Sequence, residues 1–154
     1  MKIGFGYDIH RFIKGKPLVL GGVEIPFEKG MLAHSDGDVL LHAVCDSLLG
    51  AACLGDIGKH FPNTDKKFKN ISSLELLETV CLLLKKSGYK IVNIDTMIVA
   101  KYPKIAPHIE RMREKISKII KIKNISIKAT TNEGVGDIGK GKAICAYAVC
   151  LIKK

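Results

Sequence analysis

A two-layer α/β sandwich of the α+β class, with helices on one face of a four- to five-stranded mixed sheet, is the fold this sequence predicts. Three observations carry the prediction. The elements read in the order ββ, αα, β, α, ββ. The helical segments carry apolar stripes at spacings of three and four. The last strand is apolar on both faces, with Cys145, Tyr147 and Val149 on one side and Ile144, Ala146 and Ala148 on the other. An open two-layer sheet should keep one face wet, so a doubly apolar strand implies that a second subunit covers the outer face.

Residues 2–10 alternate loosely and predict the first strand. Leu18–Leu20 and Val23–Ile25 read as a second strand, interrupted at Gly21-Gly22 by a bulge and ended by Pro26. A helix is expected from about Asp36 to Leu54, with Ser35 as N-cap, Asp38 completing a capping-box-like pair and Gly55 as the stop. The polar segment from Asp56 to Asn70, broken by Gly58 and Pro62, reads as a functional loop. A second helix covers about Ser73 to Ser87 on a stripe of Leu74, Leu77, Cys81 and Leu84. Residues 91–100 predict a strand with Val92, Ile94, Thr96 and Ile98 on one face. After the stiff Pro103–Pro107 loop a third helix runs to about Ile120. Residues 124–131 and 143–152 are the last strands, joined by a glycine-rich turn from Gly134 to Gly141. No linker, repeat or low-complexity stretch divides residues 1–154, which read as one domain.

Composition narrows the function classes. The apolar fraction is 47% and the charged fraction 26%, ordinary for a globular chain. No apolar run reaches the roughly 18 residues that cross a bilayer, and Met1–Gly4 opens no signal-peptide pattern. A cytoplasmic protein with no membrane partner is expected, or a plastid one if a transit peptide has been removed. The five cysteines are an odd number with no CxxC pair, and read as small buried apolar residues in a reducing compartment. The net charge of +10 favours anionic partners such as phosphorylated substrates, nucleic acid or a membrane surface. It is spread over lysines in loops, helix faces and the tail, and only Arg11, Arg111 and Arg113 are arginines. Aromatics make up 6% and Trp is absent, so no stacking platform for single strands is available and no nucleic-acid partner is expected.

Four constellations can carry chemistry. Asp8 and His10, two apart on a strand, point to one side and can converge on a cation. His34, Ser35, Asp36, Asp38 and His42 cluster at the mouth of a helix, whose free N–H groups suit phosphate. Within that cluster His42 reads either as a satisfied half-buried histidine or as a ligand, with Asp38 or Asp46 four residues away to orient its second ring nitrogen. Asp8, His10 and His42 together make a two-imidazole, one-carboxylate set with an open position, of the kind zinc uses. The loop Asp56–Asp65 can form a pocket wall, and Thr130, Thr131, Asn132 and Glu133 offer hydroxyls for phosphate and one carboxylate for Mg²⁺ or read as an exposed turn.

GYDIH, GGVEIPFEKG, AHSDGDVLLHA, GDIGKHFPNTD, PKIAPHI and KATTNEGVG occur in this order. Taken as a series they resemble the 2-C-methyl-D-erythritol 2,4-cyclodiphosphate synthases over essentially the whole chain. The resemblance implies a ferredoxin-like or chorismate-mutase-like domain that assembles as a homotrimer with active sites between subunits. It implies a cyclising phosphorus–oxygen lyase of the non-mevalonate isoprenoid precursor pathway. Such an enzyme converts 4-diphosphocytidyl-2-C-methyl-D-erythritol 2-phosphate to the cyclic diphosphate and CMP. The family's zinc (or other divalent metal) ligands fall on Asp8, His10 and His42, and Glu133 falls on the carboxylate that holds Mg²⁺ or Mn²⁺ at the diphosphate. Asp8, His10, His34, Ser35, Asp56, Ile57, Gly58, Phe61, Asn63 and Asp65 fall on contacts to methylerythritol and its phosphates. Ala100, Pro103, Lys104, Ile105, Ala106, Thr130 and Thr131 fall on the cytidine pocket, with Asn132 and Glu133 beside it. His34 and Thr131 match the positions that steady the transition state. The chain departs from the family at Asn63, commonly Asp, and at Asp137 and Lys140, commonly an aromatic and an arginine facing a central cavity. Lysine is a point charge and not a bidentate fork, so binding of an isoprenoid diphosphate in that cavity does not carry over. A related metal-dependent phosphohydrolase that uses water as nucleophile would employ the same metal set, and a nucleic-acid module driven by charge would leave that set unexplained.

Overall fold

A computed structural model describes residues 1–154. Strand β1 (Lys2–Lys14) is longer than the pattern suggests because its far end pairs with a short strand that sequence reading missed. Strands β2 (Leu18–Leu20) and β3 (Val23–Ile25) are not one bulged strand. They form an antiparallel hairpin, because Gly21 and Gly22 both take positive φ (57° and 71°) and turn the chain back on itself. The missed strand is β4 (Lys29–Met31).

Helix α1 (Val39–Ala51) starts three residues later than expected. Gly37, at φ 76°, breaks helical geometry, so the cap is Asp38, whose side chain accepts the Leu41 N–H, and not Ser35. The loop after α1 contains one short helix, α2 (Ile57–His60), and a 3-10 turn at Lys66–Phe68. Helix α3 (Ser73–Lys86) is capped by Ser72, and strand β5 (Lys90–Val99) follows. Its register slips between Ile91 and Asn93, so Val92 is the extra residue of a bulge and Ile91 leads the inward face in its place. A 3-10 turn (Ala106–His108) leads into α4 (Ile109–Ile120), which ends at left-handed Lys121. Strand β6 (Ile125–Thr130), the short helix α5 (Gly136–Gly139) inside the glycine-rich turn, and β7 (Ala143–Lys153) complete the chain.

The sheet is five-stranded and mixed, in the order β4-β1-β7-β5-β6, with β5 and β6 parallel and the other pairs antiparallel. The β2–β3 hairpin stands apart as a second small sheet. One layer of helices covers one face, and the core between the layers includes Leu40, Leu41, Leu48, Leu77, Ile94, Ile98 and Ile144. Helix α1 lies directly on β1. A Cβ on Gly4 would sit 1.8 Å from the Ser47 carbonyl oxygen, and one on Gly6 would sit 1.9 Å from that of Ala43. Only glycine allows that approach, and it fixes how far α1 stands from the strand that carries Asp8 and His10.

The other face of the sheet is uncovered and apolar. Ile3 (74% exposed), Phe5 (62%), Tyr7, Ile9, Tyr147 and Val149 form a continuous patch over β1 and β7. The cysteines are all free thiols, but not all are buried: Cys45, Cys145 and Cys150 are, Cys81 is half-buried and Cys53 is exposed at the end of α1.

Candidate active site

Period-two alternation places Asp8 and His10 on the helix-covered face of β1, in line with Gly4 and Gly6. The same close packing brings in His42, one turn into α1. His42 Nδ1 lies 2.9 Å from Asp8 Oδ2 and 3.3 Å from His10 Nε2. Asp8 Oδ2 is also 3.3 Å from His10 Nε2. The three ligand atoms lie within 4.8 Å of one another, and no other such group of His, Cys, Asp or Glu occurs in the chain.

Burial pulls His10 below its ordinary pKa against the opposing charge of Asp8, so it is held in the neutral form that a metal ligand needs. Burial weighs on His42 too. The hydrogen bond and charge of Asp8, with the charges of Asp38 and Asp36 behind it, nevertheless leave His42 above its ordinary value. The donor set fits such a cation: two imidazole nitrogens and one carboxylate oxygen, converging on one point at the edge of a cavity.

That cavity, of about 360 Å³, has Asp8, His10, His34, Ser35 and His42 on one side. Ile57, Gly58, Phe61 and Asn63 of the α2 loop face them, with Phe68, Ile71 and Leu76 as apolar wall. Sequence reading had not found that wall, which comes from scattered residues with no shared motif. His34 lines this cavity, and its Nε2 is buried without a hydrogen-bond partner in the chain.

Other expected residues also serve the local fold. Asp56 caps α2 through the Lys59 N–H, and Asp65 caps the Lys66–Phe68 turn through the Lys67 N–H. Neither Asp38 nor Asp46 orients His42: Asp38 accepts from Gly21, Gly22 and Leu41, and Asp46 accepts from Ile57. At the mouth of α1 the Asp38 carboxylate takes the Leu41 N–H. What faces the second nitrogen of His42, Nε2, is Ser35 Oγ at 3.1 Å and Ser73 Oγ at 3.0 Å.

The remaining predicted residues gather elsewhere. Because β5 and β6 run parallel, Val99 pairs with Thr130 and the Ala100 N–H donates to the Thr130 carbonyl. The Ala100–Ala106 segment, with Pro103 and Lys104 at its tip, therefore leaves the sheet beside Thr130, Thr131 and Asn132. Ile105 buries its side chain in the core. Glu133 takes a left-handed φ of 47° and accepts from the Thr131 hydroxyl. Asp137 pairs with Lys142, and Lys140 caps α5. In the sheet one row runs Asp8, Ala146, Ile98, Ala129. Three strand spacings separate its ends, about 14 Å. Within one chain the Asp8–His10–His42 group and the Thr130–Glu133 group are therefore separate clusters.

The profile of the YgbB family matches residues 1–153. The chain belongs to the YgbB family. A relative from Clostridium perfringens, named 2-C-methyl-D-erythritol 2,4-cyclodiphosphate synthase, is 57% identical over 156 aligned residues that span 100% of both chains. Among solved structures, the bifunctional IspDF of Campylobacter jejuni superposes with a TM-score of 0.95 at 40% identity, over 99% of this chain and 42% of that one. A 2C-methyl-D-erythritol-2,4-cyclodiphosphate synthase in its CDP-bound form superposes with a TM-score of 0.90 at 35% identity, over 99% of this chain and 100% of that one. The mixed five-stranded sheet with one helical layer is thus the YgbB fold, as expected from the sequence.

Proposed function

We propose that this chain carries out the reaction after which its relatives are named, as one catalytic domain over residues 1–154. The reaction cyclises 4-diphosphocytidyl-2-C-methyl-D-erythritol 2-phosphate to the 2,4-cyclodiphosphate. An oxygen of the 2-phosphate forms a bond to the β-phosphorus, the bond from that phosphorus to the bridging oxygen breaks, and CMP leaves with the electron pair. The observation that carries the reading is the convergence of Asp8, His10 and His42 on a cavity whose wall holds the unpartnered His34 Nε2.

Asp8, His10 and His42 hold zinc in this reading, and Glu133 holds Mg²⁺ or Mn²⁺. When bound, these ions polarise the β-phosphate and neutralise charge on the leaving group. The chain's own work is orientation and hydrogen bonding. His34 hydrogen-bonds a phosphate oxygen through Nε2, and the Ser35 hydroxyl, at the same wall, does likewise. Ile57, Phe61 and Phe68 exclude water, so that the internal phosphate and not solvent is the nucleophile. Asn63 stands on the cavity wall as a neutral amide, so it can still donate and accept hydrogen bonds there. Thr130, Thr131 and Asn132 receive the nucleotide with the Ala100–Ala106 segment.

Those two groups are about 14 Å apart within one chain, measured in strand spacings. The exposed apolar face of β1 and β7 supplies the means to complete the site, since burying it against another copy removes Phe5, Tyr7 and Tyr147 from water. In this reading the protein works as a homotrimer with each site built from two subunits. The chain has no helix long and apolar enough to cross a membrane, and we assign it to the cytoplasm.

The test is product analysis by ³¹P NMR with the purified protein, the substrate, zinc and magnesium. Cyclic diphosphate and CMP in equal amounts are expected. A linear phosphate product would replace this reading with a phosphohydrolase.

A further inference from the structure

His42 is held from behind by a chain of hydrogen bonds that the family reading does not use. Asp36 receives three hydrogens: Oδ1 accepts from the Ser73 hydroxyl and the Asp38 N–H, and Oδ2 accepts from the Ser73 N–H at 2.8 Å. Every neighbour points a donor at this carboxylate, so it serves only as an acceptor. Ser73 has a single O–H, and it is spent on Asp36. Only oxygen lone pairs remain to face His42 Nε2, 3.0 Å away. Ser35 Oγ, which accepts the Gly37 N–H, lies 3.1 Å from the same nitrogen and can accept from it too. Two lone pairs cannot face one another at this distance, so Nε2 must carry the hydrogen and donate. The other ring nitrogen, Nδ1, is then the one left to bind, and it is Nδ1 that faces Asp8 and His10. Ser73 is fully buried and His42 5% exposed, so water offers no substitute for either partner.

We propose that Ser73 and Asp36 are positioning residues for the cation site: the relay from Asp36 through Ser73 to His42 fixes the ring's rotation and tautomer, and so presents Nδ1 to a divalent cation beside Asp8 and His10. The inference rests on the reading of that trio as a cation site. It links the start of α3 to the metal ligand on α1, two elements that share no motif.

The relay separates from the structural duties nearby. The N-cap of α3 is Ser72, which accepts the Leu74 N–H, and the Ser73 N–H keeps its partner Asp36 when only the hydroxyl is removed. Ser73→Ala therefore deletes the relay and spares the cap, while Ser72→Ala does the reverse. An amide at position 36 cannot accept on both atoms, so Asp36→Asn turns an NH₂ onto Ser73.

Zinc affinity of the full chain is measured by chelator competition for wild type, Ser73→Ala, Asp36→Asn and Ser72→Ala, with thermal melts of the metal-free proteins alongside. Ser73→Ala and Asp36→Asn should each weaken zinc binding about 10- to 100-fold, as for other outer partners of metal-bound histidines. Ser72→Ala should lower the melting temperature and leave zinc affinity unchanged. A long-range ¹H–¹⁵N spectrum of the zinc-loaded wild type should show His42 protonated at Nε2. Wild type that binds no zinc would overturn the cation reading itself. Unaltered zinc affinity in Ser73→Ala, or a His42 proton on Nδ1 in the zinc-loaded protein, would overturn the relay alone.

Discussion

Asp38→Ala probes the joint that holds α1, the helix that carries His42, in place, and its effect should depend on pH in a direction set by burial. Asp38 is fully buried, and its carboxylate accepts the Gly21 and Leu41 N–H groups at 3.0 Å and the Gly22 N–H at 2.7 Å. It thus ties the β2–β3 turn to the first turn of α1, one turn before His42. Burial, with the nearby Asp36 charge, pushes the carboxyl up to about 6 from 3.8, against the pull of those three N–H groups. Alanine leaves three donors unpaired, two buried and the Gly22 N–H half-buried, at about 1–3 kcal/mol each. Against this stands the cost of burying the charge in the wild type near neutrality, about 3 kcal/mol for a carboxyl held roughly two pH units above the free side chain. The net loss near neutral pH is about 3 kcal/mol.

The sign of the pH dependence follows from linkage. The folded pKa lies above the unfolded one, so the folded protein holds the proton more tightly. The stability contributed by this group is whole below about 3.8 and is lost as pH rises through about 6. The variant lacks that group, so the gap between wild type and variant should widen by about 1.4 kcal/mol on going from about pH 7.5 to about pH 5. Urea melts at both pH values and one protein concentration measure it. A gap that is equal at both, or wider at the higher pH, would refute the argument that burial dominates at Asp38.

Three further outcomes follow. His42→Ala should cut turnover at least a thousandfold and remove the bound zinc while circular dichroism and melting stay near wild type; full activity in a metal-stripped sample of this variant would remove His42 from the site. Gly6→Ala should destabilise the protein by about 3 kcal/mol or force α1 off β1, because the new methyl would lie 1.9 Å from the Ala43 carbonyl oxygen. Zinc affinity should fall with it, and a wild-type melting curve would show the approach to be looser than described. Tyr147→Lys, in the exposed apolar patch, should yield a monomer by light scattering that binds zinc with wild-type affinity and lacks cyclase activity; a stable trimer would place the interface on another face.

The sequence by itself determined the faces. Alternation in β1 put Asp8 and His10 on one side, and the stripe through Leu77 and Leu84 marked the buried side of α3, which Leu76 and Val80 complete. The ordered motifs pointed to the family and to Asp8, His10 and His42 as candidate cation ligands. Periodicity says which way a side chain points, but not which elements lie beside one another. The tertiary structure decided that β7, last in the chain, lies between β1 and β5, that two glycines let α1 rest on β1, and that Ser73 stands behind His42. It moved the cap of α1 from Ser35 to Asp38 and turned the Gly21-Gly22 bulge into a hairpin. It also set the Thr130–Glu133 group three strand spacings from Asp8, His10 and His42, with β7 and β5 between them. Each of these is a long-range contact whose geometry comes from packing whole elements against one another, and no local pattern of residues encodes it.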